Sequence, residues 1–205
     1  MKKIIIGLLL LTCFVTLNSC KKKIFGCTDP ASVNYKSDAT DDDGTCTYLT
    51  IGQNYEGGVI FHLDATKKHG LICAATNQSN GLIWGSTTTT TLATGTAIGT
   101  GQTNTNAIVV AQGPGNYAAY LCDTLVLNGY RDWYLPSRKE LYLLYSQKEA
   151  GIVSGFANAY YWSSTEYNTF YAWNVSLGTG DEAFDGSTYF KGKAYSLYVR
   201  AIRAF

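Results

Sequence analysis

Charge is scarce in this chain, and neither sign dominates. Only 15% of the 205 residues are charged, and 16 Lys and Arg stand against 15 Asp and Glu, a formal net charge of +1. Proteins that bind nucleic acid through its phosphates need a local excess of positive charge. The composition therefore predicts that nucleic acid is not a partner.

Histidine is also scarce, and the sequence motifs that mark common catalytic centres are missing. His62 lies in an apolar segment and His69 in a polar turn, and these are the two histidines of the chain. The sequence contains no His-Glu-x-x-His, Gly-x-Ser-x-Gly or phosphate-loop motif. Glu166 with Asp181 or Asp185 would suit a glycosidase pair, but these residues suit loop caps equally well. The sequence predicts that the protein is not an enzyme.

An apolar run stands at the N-terminus. Residues 4–17 follow two lysines and lead directly to Ser19 and Cys20. The run is too short for a membrane-spanning helix and is typical of an export signal. Its end resembles the lipobox of bacterial lipoproteins, which predicts a signal peptide over residues 1–19 and acylation of Cys20. Lys21 after the acylated cysteine favours transport of the lipoprotein to the outer membrane, on its periplasmic face or at the cell surface. The alternative to a lipoprotein is an ordinary signal peptide with a free cysteine nearby.

Cysteine pairing becomes informative once export is predicted, because disulfides form in oxidising compartments. Four cysteines remain after Cys20, namely Cys27, Cys46, Cys73 and Cys122, and three pairings are open. A Cys27–Cys46 bond would close the chain between them on itself and contribute about 3 kcal/mol in the chain-entropy model. Cys73 and Cys122 would then pair within the main domain. The alternative for Cys122 is a buried free thiol, because it lies at helical spacing from other apolar residues.

The segment of residues 27–48 is acidic and follows a linker over residues 20–26. The pieces GCTDP, NY, AT, DDGTC and Y, in that order, resemble an acidic cysteine repeat of surface proteins from Bacteroidetes-type bacteria, which is similar to thrombospondin type 3 calcium repeats. An EF-hand is excluded, because Ala39 and Thr50 stand where its first and last carboxylates would be. We expect calcium as a cofactor, bound by Asp38, Asp41 and Asp43. The alternative is a solvated spacer.

Residues 51–205 predict one unit of the α+β class. Two helices are expected, one over residues 116–127 and one that begins after Pro136 with Ser137 and Glu140 as a capping box. The uncharged, Thr- and Gly-rich tract of residues 86–106 predicts a loop. An antiparallel sheet is expected from an N-terminal hairpin and the C-terminal strands, over residues 59–63, 71–75, 160–165, 169–177 and 195–205.

Several motifs of this unit occur in the order found in one known family. They are YEGGVIFHLD, HGLICA, GTGQTNTNAI, NGYRDWYLPSRKEL, YYWSSTEY and YVRAIRAF. Through them, residues 51–205 resemble the Lcl C-terminal domain family, also seen as the major paralogous domain of Fibrobacter-type bacteria. The resemblance implies a C-type-lectin-like fold and extracellular adhesion, and some members bind sulfated polysaccharides.

The ligand of this chain is predicted from its own sequence, in which calcium-binding motifs and basic residues are the relevant features. The calcium-binding Glu-Pro-Asn and Gln-Pro-Asp triplets of animal lectins are absent, so the domain itself is not expected to bind sugar through calcium. A basic patch for a sulfated glycan would need to come from Arg131, Arg138, Lys139, Lys191, Lys193, Arg200 and Arg203.

Loops of lectin-like domains carry recognition, whereas tryptophans in strand-like runs are expected in the core. The predicted core tryptophans are Trp133, Trp162 and Trp173. Carboxylate and amide groups bind sugar hydroxyls, and exposed rings cover apolar sugar faces. The predicted ligand-binding residues are therefore Glu166, Tyr167, Asn168, Asp181, Asp185 and Tyr189.

Together these patterns favour a carbohydrate-binding adhesion module of a lipoprotein. A glycan or polysaccharide and, through the lipid, a membrane are the expected partners, and self-association of the chain remains open. The alternative function is a non-catalytic structural or assembly component of a cell-surface complex that recognises protein.

Overall fold

The structure, a computed structural model, describes residues 22–183 and 192–205. The predicted signal peptide, Cys20, Asp185, Tyr189 and Lys191 lie outside these residues. The described helices are α1 (Gly101–Gln112), α2 (Ala118–Asp123) and α3 (Arg138–Glu149). The described strands are β1 (Phe25–Gly26), β2 (Asp41–Asp42), β3 (Asn54–Tyr55), β4 (Gly58–Leu63), β5 (Gly70–Cys73), β6 (Ser79–Leu82), β7 (Tyr160–Glu166), β8 (Ala172–Ser176), β9 (Glu182–Ala183), β10 (Leu197–Val199) and β11 (Ile202–Ala204). This mixture confirms the α+β class.

The predicted hairpin lies at the centre of a sheet with the strand order β11-β5-β4-β3. Strands β4 and β5 pair antiparallel, with Val59 opposite Cys73. The turn that joins β3 to β4 needs positive φ angles, which Glu56 (40°) and Gly57 (89°) adopt. Strand β11 from the C-terminus pairs with β5 and completes this sheet.

The second sheet has the strand order β6-β10-β7-β8-β9. Strands β7 and β8 form an antiparallel pair in which Tyr161 lies opposite Val175. Strand β10 runs parallel to β7, with Tyr198 beside Tyr161. The predicted antiparallel sheet is therefore confirmed for the hairpin and β11, whereas β7, β8 and β10 lie in a second sheet that has one parallel pairing.

The C-terminal segment contributes to both sheets, although the sequence predicts a single strand over residues 195–205. The chain breaks from strand geometry at Arg200, which lies between β10 and β11 in the sequence and has a buried side chain. Its guanidinium donates to the carbonyl oxygens of Ala74 (2.6 Å) and Gly155 and to Oδ1 of Asn77 (3.0 Å). These hydrogen bonds satisfy the buried cation and fix the point at which the chain passes from one sheet to the other.

Helix α1 begins inside the tract that the sequence predicts to be a loop. Its buried residues Gly101, Asn104, Thr105 and Ile108 follow helical spacing, but three of them are Gly, Asn or Thr. The buried Asn104 amide donates to the carbonyl oxygen of Gly95 (2.6 Å) and therefore tolerates burial. The loop prediction is wrong for residues 101–106, because a polar buried stripe does not look amphipathic in the sequence.

Helix α3 begins at the predicted capping box, which is confirmed. Ser137 Oγ accepts from the Glu140 backbone N–H (3.4 Å), and the Glu140 carboxylate accepts from the Ser137 backbone N–H (2.7 Å). The other carboxylate oxygen accepts from the Gly99 backbone N–H (2.7 Å), just before α1. One buried carboxylate thus joins the starts of α1 and α3, and burial raises its pKa. Helix α2 is shorter than the predicted helix over residues 116–127.

The core predictions for tryptophan are confirmed in two of three positions. Trp133 and Trp162 are 1% and 0% exposed. Trp173 is half-buried, so its core assignment is wrong: its ring lies under Arg138 at the start of α3. Trp84, which borders the Thr-rich tract and was not predicted, is fully buried.

The predicted Cys27–Cys46 bond is confirmed, and Cys122 follows the alternative prediction of a buried free thiol. Cys27 and Cys46 form a disulfide with their Cα atoms 4.9 Å apart. Cys73 on β5 and Cys122 on α2 are buried free thiols in different groups of core residues, so a bond between them is wrong. Burial raises the pKa of Cys73 to about 11 and also raises that of Cys122, which keeps both as unreactive thiols at neutral pH. None of the helices within residues 22–183 and 192–205 has the length and apolar character needed to span a membrane.

Candidate functional site

Glu166 is not a loop residue available to a ligand. It ends strand β7, its side chain is 1% exposed, and its carboxylate lies 2.5 Å from the ammonium of Lys193. The same carboxylate accepts from the backbone N–H groups of Thr91 (2.9 Å) and Leu92 (2.9 Å). The prediction that Glu166 binds ligand is wrong, because these partners occupy it inside the protein. The same burial removes it from the alternative glycosidase pair.

Three residues of the predicted basic patch are buried in the structure. Lys193 is 0% exposed, and its ammonium also lies over the Trp84 ring, 4.6 Å from its centre. Arg200 joins the two sheets, and Arg203 pairs with Asp132 (2.7 Å). Burial lowers the pKa of Lys193, and the neighbouring Glu166 opposes this shift. The basic residues of the predicted patch that remain accessible among the described residues are Arg131, Arg138 and Lys139.

The turn between β7 and β8 holds two of the predicted ligand residues. Asn168 Oδ1 accepts from the backbone N–H groups of Phe170 (2.9 Å) and Tyr171 (3.0 Å), so this side chain shapes the turn. Tyr167 is 43% exposed, and its ring meets that of Trp173 edge-on, with centres 6.1 Å apart. Tyr167 therefore fits its predicted exposed position, whereas Asn168 has a local structural role.

Asp181 lies away from that turn and faces helix α3 across a groove. The α3 groove has a volume of about 800 Å³ and is lined by Ile98, Arg138, Lys139, Tyr142, Leu143, Ser146, Gly180 and Asp181. Gly180 has φ 79°, and a Cβ there would overlap the ring of Tyr145. Glycine therefore lets the chain before Asp181 approach α3 closely enough to form the second wall.

The charges and rings of the α3 groove are held in place by neighbouring elements. Arg138 is the first residue of α3, and its guanidinium carbon lies 3.6 Å from the centre of the Trp173 ring. Such a cation–π contact orients the planar guanidinium. Tyr142 follows one turn later and is 43% exposed. The groove thus combines two cations, one carboxylate and an exposed ring.

Sequence reasoning found only part of this groove. Arg138, Lys139 and Asp181 were singled out, but as members of separate sets. Tyr142 was missed, because an aromatic residue on a helix predicts core, and the half-exposed ring follows from the position of the helix in the fold. Arg138 and Tyr142 are four residues apart, and this spacing places their side chains on the same face of a helix. This spacing in the sequence could have indicated that the two residues lie together.

The acidic segment uses its aspartates to build turns. Asp41 pairs with Lys23 (2.6 Å), which lowers the pKa of Asp41. Asp43 Oδ1 accepts from the hydroxyl (2.6 Å) and backbone N–H (3.0 Å) of Thr45, and these hydrogen bonds lower the pKa of Asp43. Asp38 is exposed. Within the part of the chain that the structure describes, no three His, Cys, Asp or Glu residues cluster as metal ligands would, so calcium binding stays a prediction.

Comparison with known proteins assigns the chain to a family. No curated protein matches the chain. The family model of the Lcl C-terminal domain matches residues 74–203, from the end of β5 to β11, and includes every described residue of the α3 groove. These 130 residues are more than half of the 205, and the chain therefore belongs to the Lcl C-terminal domain family.

Proposed function

We propose that this protein is a non-catalytic carbohydrate-binding module that serves adhesion, and that the α3 groove holds the sugar. The observation that carries the proposal is the placement of Arg138, Tyr142 and Asp181 around one open groove. Sites for small ligands combine apolar walls with a few polar groups in fixed positions. The groove offers this combination.

Each wall of the groove would make a different contact with a sugar ring. Arg138 donates to hydroxyl or acidic groups, and Asp181 accepts from hydroxyls. The ring of Tyr142 covers the apolar face that the C–H groups of a sugar present. Because Trp173 already orients Arg138, less side-chain freedom is lost when a ligand binds.

The module would be carried by a lipoprotein of the outer membrane. The support for this part of the proposal is the N-terminal sequence, in which the apolar run of residues 4–17 is followed closely by Cys20. Acyl chains on Cys20 would hold the protein at a membrane surface without a spanning helix. The adhesion module would then act at a surface, either within the periplasm or outside the cell.

Truncation of Tyr142 should weaken glycan binding. We expect Tyr142→Ala to reduce affinity for the best ligand found on a glycan array by about 10-fold, a loss of ~1.4 kcal/mol. The ring is 43% exposed and makes one described ring contact, with Tyr145, so the melting temperature should change little. Titration calorimetry with residues 21–205 measures the affinity, and a thermal scan measures the folding.

Val110→Ala is the matched control, because Val110 is 86% exposed on helix α1 and does not line the groove. Equal affinities for Tyr142→Ala, Val110→Ala and the parent protein would remove Tyr142 from the site. A silent array together with a protein partner in a crosslinking pull-down would replace glycan binding with the assembly function.

We further propose that the disulfide-closed acidic segment binds calcium. Asp41 and Asp43 would have to exchange the hydrogen bonds of Lys23 and Thr45 for a cation. We expect titration calorimetry of the oxidised protein to give calcium uptake that Asp43→Asn removes, whereas Asp181→Asn, outside the segment, leaves it unchanged. If the oxidised parent protein takes up no calcium, calcium binding is excluded and the solvated-spacer interpretation of the segment holds.

A further inference from the structure

A second cleft lies beyond the β7–β8 turn. The Phe170 cleft has a volume of about 530 Å³ and is lined by Thr87, Phe170, Tyr171, Gly192 and Tyr195. Its two walls are joined by backbone hydrogen bonds. Tyr171 and Gly192 form an antiparallel bridge, and the backbone N–H of Lys193 donates to the carbonyl oxygen of Phe170 (2.9 Å).

Side-chain contacts also hold the two walls of the Phe170 cleft in place. The side chain of Lys193 is buried and paired with Glu166, so the backbone beside Gly192 is attached to the end of β7. On the other side, the hydroxyl groups of Thr90 and Thr169 lie 2.7 Å apart and join the Thr-rich tract to the β7–β8 turn. Preformed walls of this kind reduce the ordering cost of binding.

The cleft differs from the α3 groove in its chemistry. Phe170 is 58% exposed and Tyr195 is 53% exposed. The lining residues of this cleft are aromatic, Thr or Gly and carry no formal charge, whereas Arg138, Lys139 and Asp181 line the α3 groove. Exposed rings beside hydroxyl groups suit an uncharged sugar, because the ring face covers C–H groups while hydroxyls exchange hydrogen bonds.

Aromatic residues connect the two sites. Arg138 of the α3 groove lies over Trp173, and Trp173 meets Tyr167 edge-on. The backbone N–H of Tyr167 donates to the carbonyl oxygen of Tyr171 (3.0 Å), and the Tyr171 ring packs against Phe170 with centres 6.4 Å apart. Two ring contacts, one cation–π contact and one backbone hydrogen bond at the β7–β8 turn therefore link the two sites.

We propose that the Phe170 cleft is a second sugar subsite, which binds an uncharged stretch of the same polysaccharide chain that occupies the α3 groove. This inference rests on the proposed function. It adds that the domain recognises an extended chain of several sugars, because the two sites have separate lining residues.

A length series of oligosaccharides tests this subsite. Fragments of the best array ligand, from disaccharide to octasaccharide, are titrated into the parent protein, Phe170→Ala, Phe170→Tyr and Tyr142→Ala. We expect the affinity of the parent to rise by about 10-fold or more with length. Phe170→Ala should lose this gain and keep the parent affinity for the shortest fragment that binds. Phe170→Tyr should retain the gain, and Tyr142→Ala should weaken binding at every length.

Val126→Ala, which removes a 53% exposed apolar side chain outside both sites, is the matched control and should follow the parent. Melting temperatures verify that each variant is folded. If the parent binds fragments but Phe170→Ala keeps the full gain with length, the second subsite is excluded while the α3 groove stands. If the parent binds no fragment of any length, the proposed function and the subsite both fall. A gain that arises from self-association would appear as a change in mass by light scattering and would also exclude the subsite.

Discussion

Glu166→Ala should destabilise the protein by about 3–5 kcal/mol, although the sequence alone placed this residue in a binding loop. The carboxylate and its partner Lys193 are 1% and 0% exposed, and the ion pair measures 2.5 Å. Removal of Glu166 leaves a buried ammonium without its counter-charge. It also leaves the backbone N–H groups of Thr91 and Leu92 without their acceptor.

Urea unfolding measures the effect, and two further variants separate its causes. Asp181→Ala removes an exposed carboxylate and should change stability by no more than about 0.5 kcal/mol. The double variant Glu166→Leu, Lys193→Met removes both charges and should recover part of the loss, because apolar replacements of buried ion pairs are often tolerated. A Glu166→Ala protein as stable as Asp181→Ala would show that the pair contributes nothing to the fold.

Trp133→Ala should also cost about 3–5 kcal/mol, for a different reason. The Trp133 side chain is 1% exposed, and its indole N–H donates to the carbonyl oxygen of Leu127 (3.4 Å). Its ring reaches the start of β4, where it approaches Gly58. Truncation therefore leaves a cavity within the cluster of buried apolar side chains to which Trp133 belongs.

Trp173→Ala is the comparison for this truncation, because the same residue type is half-buried there. Thermal and urea unfolding should rank Trp133→Ala as clearly the more damaging change. Equal losses for the two variants would mean that burial does not distinguish these tryptophans.

Local signals predicted the elements whose determinants are close in sequence. The hairpin of β4 and β5 follows from apolar residues around a polar turn, and the start of α3 follows from Ser137 and Glu140, three residues apart. Helix α1 was missed for a physical reason. Its buried face is polar, and Asn104 is tolerated there because its partner, Gly95, lies outside the helix.

The site was harder to predict because its determinants are distant in sequence. Glu166 and Lys193 are separated by 27 residues, and either one alone looks like an exposed charge. Arg138 and Trp173 come from a helix and a strand that meet only in the folded chain. Composition indicated residue types that suit a binding surface, but the fold decides which of them are exposed.

The shared C-terminal segment has a consequence for biosynthesis. Strand β10 is paired on both sides within one sheet, and β11 forms an edge of the other. Neither sheet is therefore complete without residues 197–204. A nascent chain from which residues 197–204 have not yet emerged lacks these pairings, and long-range pairings of this kind form late. Neither sheet can therefore be completed before this segment has left the ribosome, so we expect the two sheets to complete their pairing together.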